Sequence, residues 1–307
     1  MSTQIRPRKK VETYWYLLLI PIFAVLTVVE FYPVLYSLYL SVTGPNGGVT
    51  LSYYSQMLSD RDFWSAVSSS ITFSVLSVII SLAVALTLTF LVNELAGLRR
   101  SFFEGLFVLP LAAAPIAVGV MWGPSAFWDD LQSLLHYPVS SLIHYQIPYF
   151  TETGVLFYFP VMAFADAWEW APLIMLVCLS IINSNPKEIY EAAKLHGATG
   201  WQVFTRVMVP TVMRSPVLQF VLVLRFIDAM RAFEIPLSWA TWVAIYNSVG
   251  YPVDTLSLYL YDLIFVPSNG FPIALVSAIA VALLIVTVLA ATTMLRLITT
   301  ISGGRQG

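Results

Sequence analysis

Residues Ile273 to Leu295 read IALVSAIAVALLIVTVLAATTML, a run of 23 residues without one charged side chain. A hydrocarbon core of roughly 30 Å is crossed by about 20 apolar residues in a helix. Inside lipid no water satisfies backbone N–H and C=O groups, so a segment of this kind crosses as a helix. Composition extends the conclusion to the whole chain, which is 58% hydrophobic, 14% aromatic and only 10% charged. Soluble domains carry about a quarter charged residues.

Six spans can be drawn: Tyr14 to Leu40, Ile71 to Leu91, Phe102 to Trp122, Val155 to Ile182, Ser215 to Pro236, and Ile273 to Leu295. The expected fold is therefore all-α, a polytopic membrane protein with six transmembrane helices. Of the 15 Lys and Arg residues, 12 fall on the termini and the two loops sharing their side: Arg6, Arg8, Lys9, Lys10, Arg99, Arg100, Lys187, Lys194, Arg206, Arg214, Arg296 and Arg305. That excess marks the cytoplasmic face and puts both termini inside. The first span is too long for a signal-peptide core and no small-residue cleavage site follows it, so it reads as a retained anchor. The outer loops Gly123 to Gly154 and Leu237 to Pro272 are too short for an independent domain, which leaves a single transmembrane domain over residues 1–307. The lone cysteine, Cys178, lies within the fourth span and excludes an intrachain disulfide.

Against this background PKEIYEAAKLHGATGWQVFTRVMVP, Pro186 to Pro210, is an island with five charges. Asn185 to cap, Pro186 at the first helical position and Glu188 facing the positive end of the helix dipole predict a helix start. Gly197 is its stop, and Thr199 or Gly200 opens a second helix that runs to Pro210. Ile189, Ala192, Ala193 and His196 recur at helical spacing and form a shallow face suited to close approach by another surface.

These residues resemble the EAA loop of binding-protein-dependent ABC importer permeases: EAA, three residues, Gly, nine residues, Ile, one residue, Leu-Pro. Glu191, Ala192, Ala193, Gly197, Val207, Val209 and Pro210 fall on that pattern, with Val for both Ile and Leu. Elsewhere FYPVLYSLYLSVTG, YYSQMLSDRDFWSAVSSSITFSVLSV, LPLAAAPIAVGVMW and VDTLSLYLYDLIF look like the carbohydrate branch, which includes maltose, trehalose and glycerol-phosphate importers. Asp129, Asp130 and the charged segment DAMRAFEIP depart from it. The resemblance implies a type I ABC importer permease fold and a loop, about residues 184–212, whose helix docks on a separate ATPase. It also implies a second permease subunit in a heterodimer, two ATP-binding cassette subunits that hold ATP and Mg, an extracellular solute-binding protein, a sugar substrate and a place in the cytoplasmic membrane.

Neither a GxxxxGK[ST] phosphate loop nor HExxH occurs, so nucleotide hydrolysis and zinc proteolysis have no place in this chain. No metal set, cofactor site or nucleic-acid footprint is evident, and His136, His144 and His196 read as surface histidines. Gly123-Pro124-Ser125 lacks the second glycine of a serine elbow. The alternatives to an ABC permease are an ion-coupled secondary transporter or channel and an intramembrane enzyme.

Ions within spans cost about 2.5 to 3.5 kcal/mol each on insertion scales and point to function or to pairing. The fourth span carries Asp166 and Glu169, flanked by Trp168 and Trp170; the fifth carries Arg225, Asp228, Arg231 and Glu234 at a spacing of three. At about 1.5 Å per residue from Asn183 and Ser215, Glu169 and Asp166 stand roughly 21 and 26 Å up, and Asp228 and Arg231 roughly 20 and 24 Å. The two sets are expected to meet at one level. Mutual neutralisation is the reading for Arg225. For Asp228 and Arg231 contact with a sugar and pairing with Glu169 or Asp166 both stay open, since carboxylates and guanidinium forks suit hydroxyls and Trp rings suit sugar faces. Trp242 and Tyr246 have the same two readings as belt or pathway aromatics.

Overall fold

The computed structural model describes residues 19–123, 155–247, 255–265 and 271–303, and the backbone alone for 155–158, 242–247 and 301–303. Expectations resting on Arg6 to Lys10, Asp129, Asp130, His136, His144 and Arg305, or on the side chains of Trp242 and Tyr246, lie outside the described residues. Twelve helices carry the described chain: α1 Ile20–Ser41, α2 Ser52–Ser59, α3 Arg61–Asn93, α4 Gly97–Ala112, α5 Pro115–Trp122, α6 Val155–Ser184, α7 Lys187–Leu195, α8 Gly200–Met213, α9 Pro216–Met230, α10 Glu234–Asn247, α11 Leu256–Phe265 and α12 Ile273–Gly303. Among these residues the only β pairing is an isolated bridge between Thr43 and Val49.

Helices α1, α3, α6 and α12 are each long and apolar enough to cross a membrane, and two bent pairs bring the count to six when each is taken as one span. The sequence reading drew Phe102 to Trp122 as one straight span; instead α4 and α5 meet at 97°. It set the helix ending at Pro210 apart from the span beginning at Ser215, and there α8 and the α9–α10 segment meet at 72°. Proline is the reason, because the residue before it is pushed out of the helical region. Ala114, before Pro115, sits at φ −72, ψ 134, and Ser215, before Pro216, at φ −68, ψ 124. Prolines that remain inside helices are absorbed differently. A wide π-turn at Thr27–Phe31 precedes Pro33, and another at Phe204–Met208 precedes Pro210. Each takes up the backbone that a ring without an N–H cannot bond.

Contacts divide the chain into two compact units, residues 1–59 with 269–282, and residues 60–268 with 283–307. In the first, α1 presents apolar side chains on every face, Ile22, Phe23, Val28, Phe31 and Leu35 among them. Tyr54 on α2 donates to the Ser41 hydroxyl at 2.8 Å. In the second unit α3 and α6 make the most extensive contact. The α3 stripe of Ser70, Ser74, Ser77, Ser81, Ala85 and Thr89 is fully buried. Small side chains let two helices approach in lipid, where dispersion rather than hydrophobic burial drives association. Below that stripe Val92, Ile174, Met175, Leu179, Ile182, Val203, Phe204, Val212, Leu218 and Leu222 share one apolar cluster.

Gly119 is a second close approach. A Cβ there would lie 2.1 Å from the Ser238 hydroxyl and 3.1 Å from the Ile235 Cα, and the Trp239 indole donates to the Gly119 carbonyl at 3.0 Å. Helix α11 is tied on two sides. The Leu256 N–H donates to Ser70 Oγ at 2.7 Å, and the Tyr259 hydroxyl donates to Asp60, the N-cap of α3, at 2.7 Å.

Candidate functional site

Two constellations in the second unit hold the residues singled out from the sequence. The first is a buried ionic knot on α3, α6 and α9. Arg225 Nη2 donates to the Asp166 carboxylate and, at 2.6 Å, to Ser77 Oγ, while the Ser77 hydroxyl also bonds Asp166. Arg225 Nη1 donates to Asp228 Oδ2 at 2.8 Å. The guanidinium carbon lies 5.0 Å from the centre of the Trp170 ring. The Arg225 and Asp166 side chains are 2% and 5% exposed, whereas that of Asp228 is 51% exposed. A charge pair removed from water in this way holds only because each ion finds several partners.

The pairing corrects the expected levels. Ser77, Asp166 and Arg225 lie about 24, 27 and 14 Å from Asn93, Ser184 and Pro216 along their helices. They nevertheless touch, so α9 begins about two turns deeper than α3 and α6 end, and α8 fills the difference. Arg225 therefore meets Asp166, and Arg231 meets neither Asp166 nor Glu169. Among the described residues Arg231 forms no ion pair; it is exposed and terminates α9, with its N–H on the Asp228 carbonyl at 3.0 Å. The helical run of charges also stops there. Backbone between Arg231 and Phe233 is unwound and Glu234 opens α10, so Glu234 is not on the same helix face as Arg225. Thr255 props this break by donating to the Ala232 carbonyl at 3.2 Å. Glu169 is buried and its Oε2 has no hydrogen-bond partner among the described residues. Trp168 stands edge-on to Trp122 with centroids 5.9 Å apart.

The second constellation is the α7–α8 turn. Gly197 has φ +82, a left-handed conformation that a side chain resists. The Gly197 N–H donates to the Lys194 carbonyl at 2.9 Å and the Ala198 N–H to Ala193 at 3.1 Å, a Schellman closure of α7. Thr199 and Gln202 form a capping box that opens α8, as expected of Thr199. Asn185 does not cap α7. Its amide donates backwards to the Ile181 carbonyl at 2.7 Å, satisfying the end of α6, and Pro186 takes the cap position without a side-chain bond.

The expected docking face is also split. Ile189, Glu191, Ala192 and His196 are exposed, but Ala193 is half-buried and packs with Tyr190 and Ala198 against the apolar cluster. Leu195 and Trp201, 88% and 60% exposed, add apolar surface that the spacing argument missed. Pro210 sits just past the π-turn, half-buried. A pocket of about 430 Å³ lies between the end of α6 and the α8–α9 bend, lined by Ser180, Ser184, Asn185, Thr211, Arg214 and Ser215 among others.

Sequence reasoning also missed Ser77, Ser70 and Thr255. The only signal for the serines is their spacing of four, three and four along one face of α3.

No family model matches the chain. Curated relatives are nonetheless similar over most of its length. The trehalose/maltose transport system permease protein MalF of Thermococcus litoralis is 27% identical over 227 residues, 72% of this chain and 74% of that one. The lactose transport system permease protein LacF of Rhizobium radiobacter is 26% identical over 269 residues, 81% and 83% of the two chains. Among solved structures, a bacterial alginate ABC transporter, crystallised with an alginate pentasaccharide-bound periplasmic protein, superposes with a TM-score of 0.70 at 19% identity, covering 92% of each chain. A second structure, of a bacterial transporter involved in import of the acidic polysaccharide alginate, gives 0.68 at 20% identity, covering 92% of this chain and 95% of the other. The fold is that of an ABC importer permease.

Proposed function

We infer that this multi-pass membrane protein, which shares the fold of ABC importer permeases and resembles their sugar branch, is the permease subunit of an ATP-driven sugar importer. The observation that carries the reading is the α7–α8 turn. Both of its helix ends are closed by its own residues, yet Ile189, Leu195 and Trp201 remain uncovered, as a surface shaped for another protein would be. On this reading Glu191, Ala192, Ala193, Gly197 and Pro210 form and position the contact with a separate ATPase, which holds ATP and Mg. Both termini and the 183–214 segment face the cytoplasm, in keeping with the distribution of Lys and Arg.

The remaining partners are a second permease subunit, a second ATPase subunit and an extracellular solute-binding protein. Asp166, Trp168, Glu169, Asp228 and Arg231 belong to the solute pathway in different capacities. Asp166 is held by Arg225 and shapes the wall, while Asp228 and Arg231 are open to a solute. Relatives named for trehalose, maltose and lactose transport support a sugar as cargo.

The test is reconstitution in liposomes of the chain with its second subunit, ATPases and binding protein. Uptake of a sugar that requires internal ATP and stops with an ATPase-dead partner is the expected result. Uptake driven by an ion gradient without ATP would overturn it in favour of a secondary transporter.

A further inference from the structure

We propose that the passage through this subunit is charge-selective, with Glu169, Asp228 and Glu234 turning away acidic sugars and admitting uncharged ones. The inference rests on the importer reading and narrows its substrate class. Its starting point is that Arg225 is unavailable to a solute: the side chain is 2% exposed, engaged with Asp166, Ser77 and Asp228, and covered by Trp170. Asp166 is neutralised by the same contacts. What remains at this level is Asp228, half-exposed, and Glu169, 5% exposed with a carboxylate oxygen that no protein donor satisfies. Glu169 lies within electrostatic reach of both Asp228 and Glu234.

The backbone reinforces the sign. A helix broken at membrane depth offers an anion the positive end of its second half. Here that end belongs to α10, and Glu234 occupies its first turn, so a carboxylate of the protein already stands where a uronate would bind. The half facing it, α9, ends in carbonyls, the negative end of its dipole, with Asp228 one turn back. Arg231 is the single opposing cation in this group, and it is exposed. Asp228 and Glu234 alone outnumber Arg231, and Glu169 is buried beside them, so the balance at this level is negative and repels an acidic solute. Hydroxyls, by contrast, donate to such carboxylates. The fold itself does not impose this choice, since the alginate transporter named above is built on the same frame.

The experiment uses the assembled complex in detergent without its binding protein, so that capture by that protein does not set the selectivity. Maltotriose and trigalacturonate serve as probes, and quenching of tryptophan fluorescence reports binding. Maltotriose should bind at least about tenfold more tightly at low salt, with the gap shrinking as ionic strength rises. Glu234→Gln should narrow it about threefold, and Glu234→Lys should close or invert it. Glu234 is exposed, so these variants keep the test independent of folding defects that Asp228→Asn could introduce through Arg225. Equal affinity of the wild-type complex for both sugars, or a ratio unmoved by Glu234→Lys, would overturn the charge rule and leave the importer reading standing. If the complete complex takes up no sugar with ATP, the importer reading falls and this inference with it.

Discussion

Replacing Arg225 with Met would remove one charge and three hydrogen bonds from the knot while keeping most of the side chain's volume. Asp166 would then hold a bare carboxylate at 5% exposure, with only the Ser77 hydroxyl as donor. Stranding one member of a buried pair costs about 3 to 5 kcal/mol, or roughly two to three and a half orders of magnitude in the unfolding equilibrium. Asp166→Asn is the milder change. Arg225 keeps Asp228 at 2.8 Å and Ser77 at 2.6 Å, and the amide oxygen still accepts, so the loss should be about 1 to 2 kcal/mol. The double variant removes the stranded charge and should fall short of the sum of the singles by at least about 1 kcal/mol. Denaturant unfolding in nanodiscs, followed by tryptophan fluorescence, reads all three. If Arg225→Met proved no more destabilising than Asp166→Asn, or if the two changes added, the knot would not be a coupled buried pair and the reasoning would fail.

Other outcomes follow from the same geometry. Gly197→Val forces a β-branched residue into φ +82, at about 1 to 2 kcal/mol of local strain, and should abolish uptake while the membrane spans still assemble. Ala192→Trp, on the exposed side of α7, should leave folded yield intact and uncouple ATP hydrolysis from transport; normal uptake would exclude this face as the contact. Gly119→Ala should destabilise by about 1 to 3 kcal/mol, with partial rescue by Ser238→Ala, because the added methyl strikes the Ser238 hydroxyl first. In a Cys178→Ala background, Lys194→Cys should be shielded from an impermeant thiol reagent in intact cells and Asp62→Cys should react. Asp62 is the better outer probe because Asp60 caps α3 and accepts from Tyr259.

Much of this architecture is legible in the chain because lipid imposes simple rules. Length and hydropathy place α1, α3, α6 and α12, and Gly197 with Thr199 places the turn, since positive φ and a hydroxyl cap have strong residue preferences. The bends are legible in part. Pro110, Pro115 and Pro216 announce breaks, but whether a proline breaks a helix or is absorbed by a π-turn, as at Pro210, depends on what packs around it. Depth is where counting fails. A tally of residues from each span's end assumes that all ends are level, and α9 starts about two turns in, which brings Arg225 to Asp166 and leaves Arg231 with neither Asp166 nor Glu169. Asn185 shows another limit: one side chain can serve either of two abutting helices, and sequence alone does not say which.

The self-contained closure of the α7–α8 turn has a thermodynamic consequence. A segment that must fold as it binds loses conformational freedom at that moment, which weakens the complex by the same amount. Here the Lys194, Ala193, Thr199 and Gln202 bonds have already fixed the backbone, so a partner meets a finished shape and its contacts translate directly into grip. The same stiffness works in the other direction. On the importer reading, a push delivered at Ala192 would pass along α8 rather than into local unwinding and would reach the Pro216 bend, the point where the chain turns by 72° into the helix that bears Arg225.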